Sequence, residues 1–116
     1  MSASPQDMRT HLDDKFFGQR NRNMVANAGG MEGFLSSPQN IWDMVRTLAE
    51  SGAPLPRLYF ACGDADPIAY EDFTAFRRLA REVGLNASFI EEAGCGHEWS
   101  FWDRCLLDAM EKFFPR

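Results

Sequence analysis

Only two stretches of this chain are composed like buried parallel strands, and that number limits what it can fold into. The first is "RLYFAC" (57–62), a continuous apolar run of strand length; the second is "NASFIEE" (86–92), a second short strand. Continuous rather than alternating apolarity suits a strand covered on both faces. Between them, Phe73, Phe76, Ala80 and Val83 share one helical face, which predicts a helix over 69–83 closed by Gly84. After the loop "AGCGH", the residues Trp102, Cys105, Leu106, Ala109 and Phe113 form one stripe of a final helix. The order from Leu58 onward is β-α-β-α, with a right-handed crossover and two parallel strands. Two parallel strands do not complete a sheet, because an unpaired edge leaves N–H and C=O groups open. The chain therefore reads as the end of a larger α/β sheet.

Upstream of "SGAPLPRL" the pattern changes. Met8, Leu12 and Phe16 recur every fourth position, so a short helix is expected over 6–17, ended by Gly18. "GQRNRNMVANAGGMEGFLSS" is rich in Asn and Gly without clean periodicity and reads as a loop or lid-like excursion. "SPQNIWDMVRTLAESG" predicts a helix with Ser37 as N-cap, Pro38 at its first helical position, Gly52 past its end, and Ile41, Val45, Leu48 and Ala49 on one face. The expected organisation is an irregular segment with a short helix over 1–36, then an α/β portion over 37–116.

A length of 116 residues bounds the chain to one domain or part of one, and 45% hydrophobic residues mark it as globular. Seventeen acidic against twelve basic residues give a net charge of -5, with no Lys/Arg-rich run. That balance excludes the phosphate backbone of nucleic acid and an anionic membrane surface as partners. No apolar run approaches the roughly 20 residues that span a bilayer, and the first residues lack a signal-peptide apolar core. Three cysteines, Cys62, Cys95 and Cys105, without C-x-x-C spacing suggest reduced thiols and a cytoplasmic setting.

In open α/β sheets the chemistry sits in loops at the carboxyl ends of the strands. The two loops here are "CGDADP", which offers Asp64 and Asp66, and "EEAGCGHEW", which offers His97. Adjacent parallel strands lie about 5 Å apart, so an acid at one tip and an imidazole at the next can meet. An acid that orients an imidazole, which activates a nucleophile, is the logic of a catalytic triad. Other readings are weaker. Cys62, Cys95 and His97 lack a fourth ligand and the paired spacing of structural zinc, and nothing beside Cys95 in sequence would lower its pKa. His11 lies on a polar stretch and reads as solvent-exposed, while Trp99, Phe101 and Trp102 read as core.

From "LYFACGDADPIAYEDF" through "AFRRLAREVG" to "GHEWSFWDRCL", the sequence resembles the C-terminal part of the α/β-hydrolase esterase family that includes esterase D, S-formylglutathione hydrolase and the tributyrin and acetyl-xylan type esterases, most closely the tributyrin branch. The resemblance covers about residues 55–115. It implies a Ser-Asp-His order along the chain, with the acid of the G-x-x-D turn on Asp66 and the base on His97. It implies a C-terminal fragment of an α/β-hydrolase fold, a small-acyl ester as substrate of the complete enzyme, and no metal or organic cofactor. The G-x-S-x-G elbow of that family does not occur, and the serines at 2, 4, 36, 37, 51, 88 and 100 all lack its context. The expectation is a chain that holds the acid and the base, that begins after the elbow and the oxyanion loop, and that is inactive alone. Its alternative is a non-catalytic module that associates through its sheet edge with an N-terminal half or a second copy.

Overall fold

A computed structural model describes residues 5–116. Among them lie five helices and a two-stranded parallel sheet, a mixed α/β arrangement consistent with a fragment of a larger α/β fold. The helices are α1 (Gly18–Asn27), α2 (Met31–Leu35), α3 (Ile41–Ser51), α4 (Tyr70–Val83) and α5 (Trp99–Phe113); the strands are β1 (Leu58–Gly63) and β2 (Ala87–Glu92).

The second half forms the elements that its patterning predicts. β1 and β2 pair in parallel from Leu58 opposite Ala87 to Gly63 opposite Glu92. Successive side chains of a strand point to opposite faces, so Phe60 and Tyr59 look in opposite directions. Phe60 stacks on its cross-strand partner Phe89 with ring centroids 5.1 Å apart. α4 closes this face with Phe76, 5.1 Å from Phe60, and Phe73, 5.9 Å from Phe89. Phe73, Phe76 and Ala80 of the predicted helical face are buried, as is Leu79, whereas Val83 is half-buried, and Gly84 ends the helix in the left-handed region at φ 73.

On the opposite face, Tyr59 meets Phe113 of α5 edge-on at 6.2 Å, and its hydroxyl donates to Asp108 Oδ2 at 2.8 Å. Burial, reinforced by that carboxylate, holds the Tyr59 phenol above its ordinary pKa. Arg57, just before β1, donates to the carbonyls of Lys112 and Phe113 at the end of α5 and lies over the Phe113 ring. The predicted stripe of α5 is only partly covered. Trp102, Cys105, Ala109 and Phe113 are half-buried, whereas Leu106 is 62% exposed. Phe101, off that stripe, is the fully buried residue of the helix.

The first half departs from expectation. Residues 6–17 form turns rather than a helix, because short acidic side chains offer the backbone local partners that compete with helical bonds. Asp7 Oδ1 accepts from Arg9 N–H, and Asp14 Oδ2 accepts from the N–H groups of Phe16 and Phe17 at 2.9 and 2.8 Å. Asp14 thereby caps the turn leading into α1, where a loop was expected. The "GG" that follows takes positive φ at Gly29 and Gly30, ends α1, and starts the single turn of α2, whose Phe34 is buried.

α3 begins at Ile41, not at Pro38. Its N-cap is Asn40, whose side chain accepts from Asp43 N–H, while the Ser37 hydroxyl donates to Phe34 O. Gly52 ends it as expected. α3 packs on α4 through Trp42 and Phe76, but Ile41 and Leu48 stay exposed along a groove of about 450 Å³ shared with Val45, Leu55, Leu58 and Phe60.

Phe76 contacts Trp42, Phe60 and Phe89 and is 1% exposed. Truncation to alanine is expected to cost about 3–5 kcal/mol, a large share of the ~5–15 kcal/mol that stabilises an ordinary domain. Urea denaturation of Phe76→Ala followed by circular dichroism should show the midpoint falling accordingly.

Candidate active site

The parallel register brings the ends of β1 and β2 to the same edge of the sheet, and the two loops that follow are stitched together by backbone. Asp64 N–H donates to Glu92 O and Ala65 N–H to Cys95 O, both at 3.0 Å. Glycine is required at position 63 because a Cβ there would overlap the carbonyl of Cys95. Arg104 of α5 braces the second loop, donating to Glu92 Oε1 at 2.8 Å, to Ser100 O at 3.1 Å and to Cys95 Sγ at 3.3 Å.

Within this frame the two aspartates part. Asp64 is exposed and clips the loops, accepting from Gly94 N–H at 2.7 Å. Asp66 is buried, its side chain 1% exposed. Its Oδ1 accepts from the N–H groups of Ile68 and Ala69 at 2.8 and 2.9 Å, which fixes the carboxylate at the start of the turn into α4. Its Oδ2 lies 2.8 Å from His97 Nδ1. A buried carboxylate needs such partners, since an unpaired one is strongly disfavoured. The geometry thus brings Asp66 and His97 together and leaves Asp64 in a loop contact. With Oδ2 as acceptor, His97 donates from Nδ1. The imidazole also meets the Trp102 indole edge-to-face, with centroids 4.8 Å apart and planes at 88°.

The surroundings of the two cysteines near this pair raise their thiol pKa values rather than lower them. Burial, helped by the Asp66 carboxylate, pushes the Cys62 thiol up to about 12. Burial and the Glu92 carboxylate push Cys95 up as well, against the opposing pull of Arg104. Arg104 is a basic neighbour of Cys95 that lies nine positions away in sequence, one helical stretch beyond the loop. Trp99, expected in the core, is 77% exposed, and Trp102 is half-buried.

His11, expected in solvent, is half-buried instead. It joins Nε2 to Asp72 Oδ1 at 3.1 Å, and Nδ1 lies 2.7 Å from Asp7 O. Among the described residues, His11, Asp14 and Asp72 bring potential metal-ligand atoms within 4.8 Å of one another. Gln6 already fills that space, donating from Nε2 to Asp72 Oδ2 at 2.7 Å and to Asp14 Oδ1 at 3.3 Å. The 61 positions between His11 and Asp72 hide this pairing from any local sequence signal.

The chain is 30% identical over 83 residues to an acetyl esterase of Caldicellulosiruptor saccharolyticus, a match covering 72% of this chain and 30% of that protein. The chain thus spans about a third of the length of the curated relative it matches, and the similarity shows a distant relationship to esterases. No family model matches the chain. No solved structure matches it either. Among the described residues no helix is long and apolar enough to cross a membrane.

Replacing Asp66 by alanine strands two amide donors beside the core and is expected to destabilise the fold by about 2–3 kcal/mol. The exposed Asp64→Ala should stay within about 1 kcal/mol of the parent. Gly63→Ala, which must push the two loops apart, should cost about 1–3 kcal/mol. Denaturation midpoints of the three variants test this ranking.

Proposed function

We propose that Asp66 and His97 are the acid and base of a Ser-His-Asp triad in a carboxylic ester hydrolase, with the serine supplied by polypeptide outside these 116 residues. The observation that carries this reading is the 2.8 Å contact between His97 Nδ1 and a buried, backbone-anchored Asp66, made across the carboxyl ends of adjacent parallel strands. In this scheme the serine oxygen attacks the ester carbonyl while Nε2 of His97 takes its proton. The same nitrogen returns the proton to the departing alcohol, and a second cycle with water releases the acid. Asp66 keeps the proton on Nδ1 and stabilises the imidazolium that forms in each half-reaction.

The likeness to an acetyl esterase and the resemblance to the tributyrin-esterase branch both favour a small acyl group. No metal or organic cofactor enters the scheme. The sequence has no G-x-S-x-G elbow, so the chain by itself is proposed to be inactive.

A second reading has its own observation. β1 pairs with β2 on one side, and beside it lies the apolar groove of Ile41, Val45, Leu48 and Leu55, which favours association through this region. The two readings separate on activity. The purified chain should hydrolyse p-nitrophenyl acetate no faster than buffer. Adding an N-terminal half of an acetyl esterase should produce turnover that falls by about 10⁴-fold with His97→Ala or Asp66→Asn. Turnover by the chain alone that requires His97 would overturn the inactive-alone claim. Silence in every mixture, with a stably folded chain, would leave the association reading.

A further inference from the structure

The contact that fastens the amino-terminal turns to α4 requires a positive charge. His11 Nδ1 lies 2.7 Å from Asp7 O. A carbonyl only accepts, so Nδ1 carries a ring proton. Nε2, on the far side of the ring, lies 3.1 Å from Asp72 Oδ1. A bare lone pair there would oppose the carboxylate, so this edge of the ring is matched only when a proton or a metal ion stands on Nε2. The Thr10 hydroxyl, 3.0 Å from Nδ1, does not relieve this. Were it to donate to Nδ1, a lone pair would face Asp7 O at the shorter distance.

The surroundings favour the metal ion. An imidazole whose one nitrogen donates to a main-chain carbonyl has the tautomer and orientation that outer contacts give to metal-binding histidines. A second carboxylate converges on the same point. Asp14 spends Oδ2 on the N–H groups of Phe16 and Phe17, which leaves Oδ1 for the cluster, and the donor atoms of His11, Asp14 and Asp72 lie within 4.8 Å of one another. A proton on Nε2 serves Asp72 alone. Between the two carboxylates stands only the neutral amide of Gln6, whose Nε2 is 2.7 Å from Asp72 Oδ2 and 3.3 Å from Asp14 Oδ1. One imidazole and two carboxylates make a donor set suited to zinc.

We propose that His11 Nε2, Asp14 Oδ1 and the Asp72 carboxylate bind one Zn²⁺-like divalent ion, which pins the amino-terminal turns to the first turn of α4. Binding is an exchange. The ion replaces the proton on Nε2, which passes to solvent, and the Gln6 amide gives way. The site shares no residue with the Asp66–His97 pair and stands whether or not the triad reading does.

Zn²⁺ alone is titrated into the whole 116-residue chain, followed by calorimetry and by the ring-proton NMR signals of its two histidines. One ion should bind, moving the His11 signals and leaving those of His97 in place. Asp72→Asn should weaken binding at least tenfold, with circular dichroism reporting the fold. Gln6→Glu sets a further carboxylate oxygen beside Asp14 and Asp72. It should bind at least tenfold tighter than the parent, and its thermal midpoint, lowered without the ion, should recover when Zn²⁺ is added. This variant decides the question if Asp72→Asn does not fold. No binding by the parent at millimolar Zn²⁺ would overturn the inference, because His11 and Asp72 then share only a proton. Binding that moves the His97 signals and not those of His11 overturns it as well. So does an affinity left unchanged in Gln6→Glu or in a folded Asp72→Asn.

Discussion

The ladder between β1 and β2 is the constraint from which the rest of the arrangement follows. Pairing Phe60 with Phe89 stacks two rings on one face, giving α4 an aromatic surface to cover. The same register sets Gly63 opposite Glu92 and ends both strands together. Two loops that leave a sheet side by side must share space. The absence of a side chain at Gly63 lets their backbones touch at Cys95. The distance between Asp66 and His97 is thus set by main-chain geometry before either side chain chooses a rotamer. A shift of the register by one residue would reverse the faces of one strand and separate the pair.

The amino-terminal part attaches by a different kind of force. Asn21 is fully buried, yet its neighbours are polar: its Nδ2 donates to Gln6 Oε1 and His11 O, and its Oδ1 accepts from Arg20. His11 and Gln6 reach Asp72 at the start of α4, and Arg9 pairs with Asp43 in the first turn of α3. Such contacts are directional and individually modest in net energy. They define where the segment lies more than they contribute to stability.

This difference in force explains what the sequence disclosed. Apolar periodicity reports burial, so β1, α4 and β2 were legible from Phe60, Phe73, Phe76 and Phe89. The Asp and His loops were legible because strand order alone places them together, and the resemblance already favoured Asp66 over Asp64; what the sequence could not display is the pair of backbone N–H groups that lock Asp66. Apolar spacing misled at 6–17, where Asp7 and Asp14 outcompete the helix that Met8, Leu12 and Phe16 suggest. It was silent on α1, whose "GQRNRNMVAN" has no apolar stripe and which follows the Asp14 turn and is tied down by Asn21. The exposure of Trp99 and Leu106 was hidden for another reason: an apolar pattern says that a surface prefers cover, not that the described residues supply it.

Arg57 gives the architecture a further property. By joining the residue before β1 to the last carbonyls of α5, it makes the stretch from 57 to 113 leave the fold close to where it enters. A segment whose two ends meet is a closed cassette. It can follow different preceding sequences without rerouting its own path, in the way that adjacent termini let domains tolerate insertion and permutation. The part of the chain that holds Asp66 and His97 is therefore also the part that its own contacts close on itself.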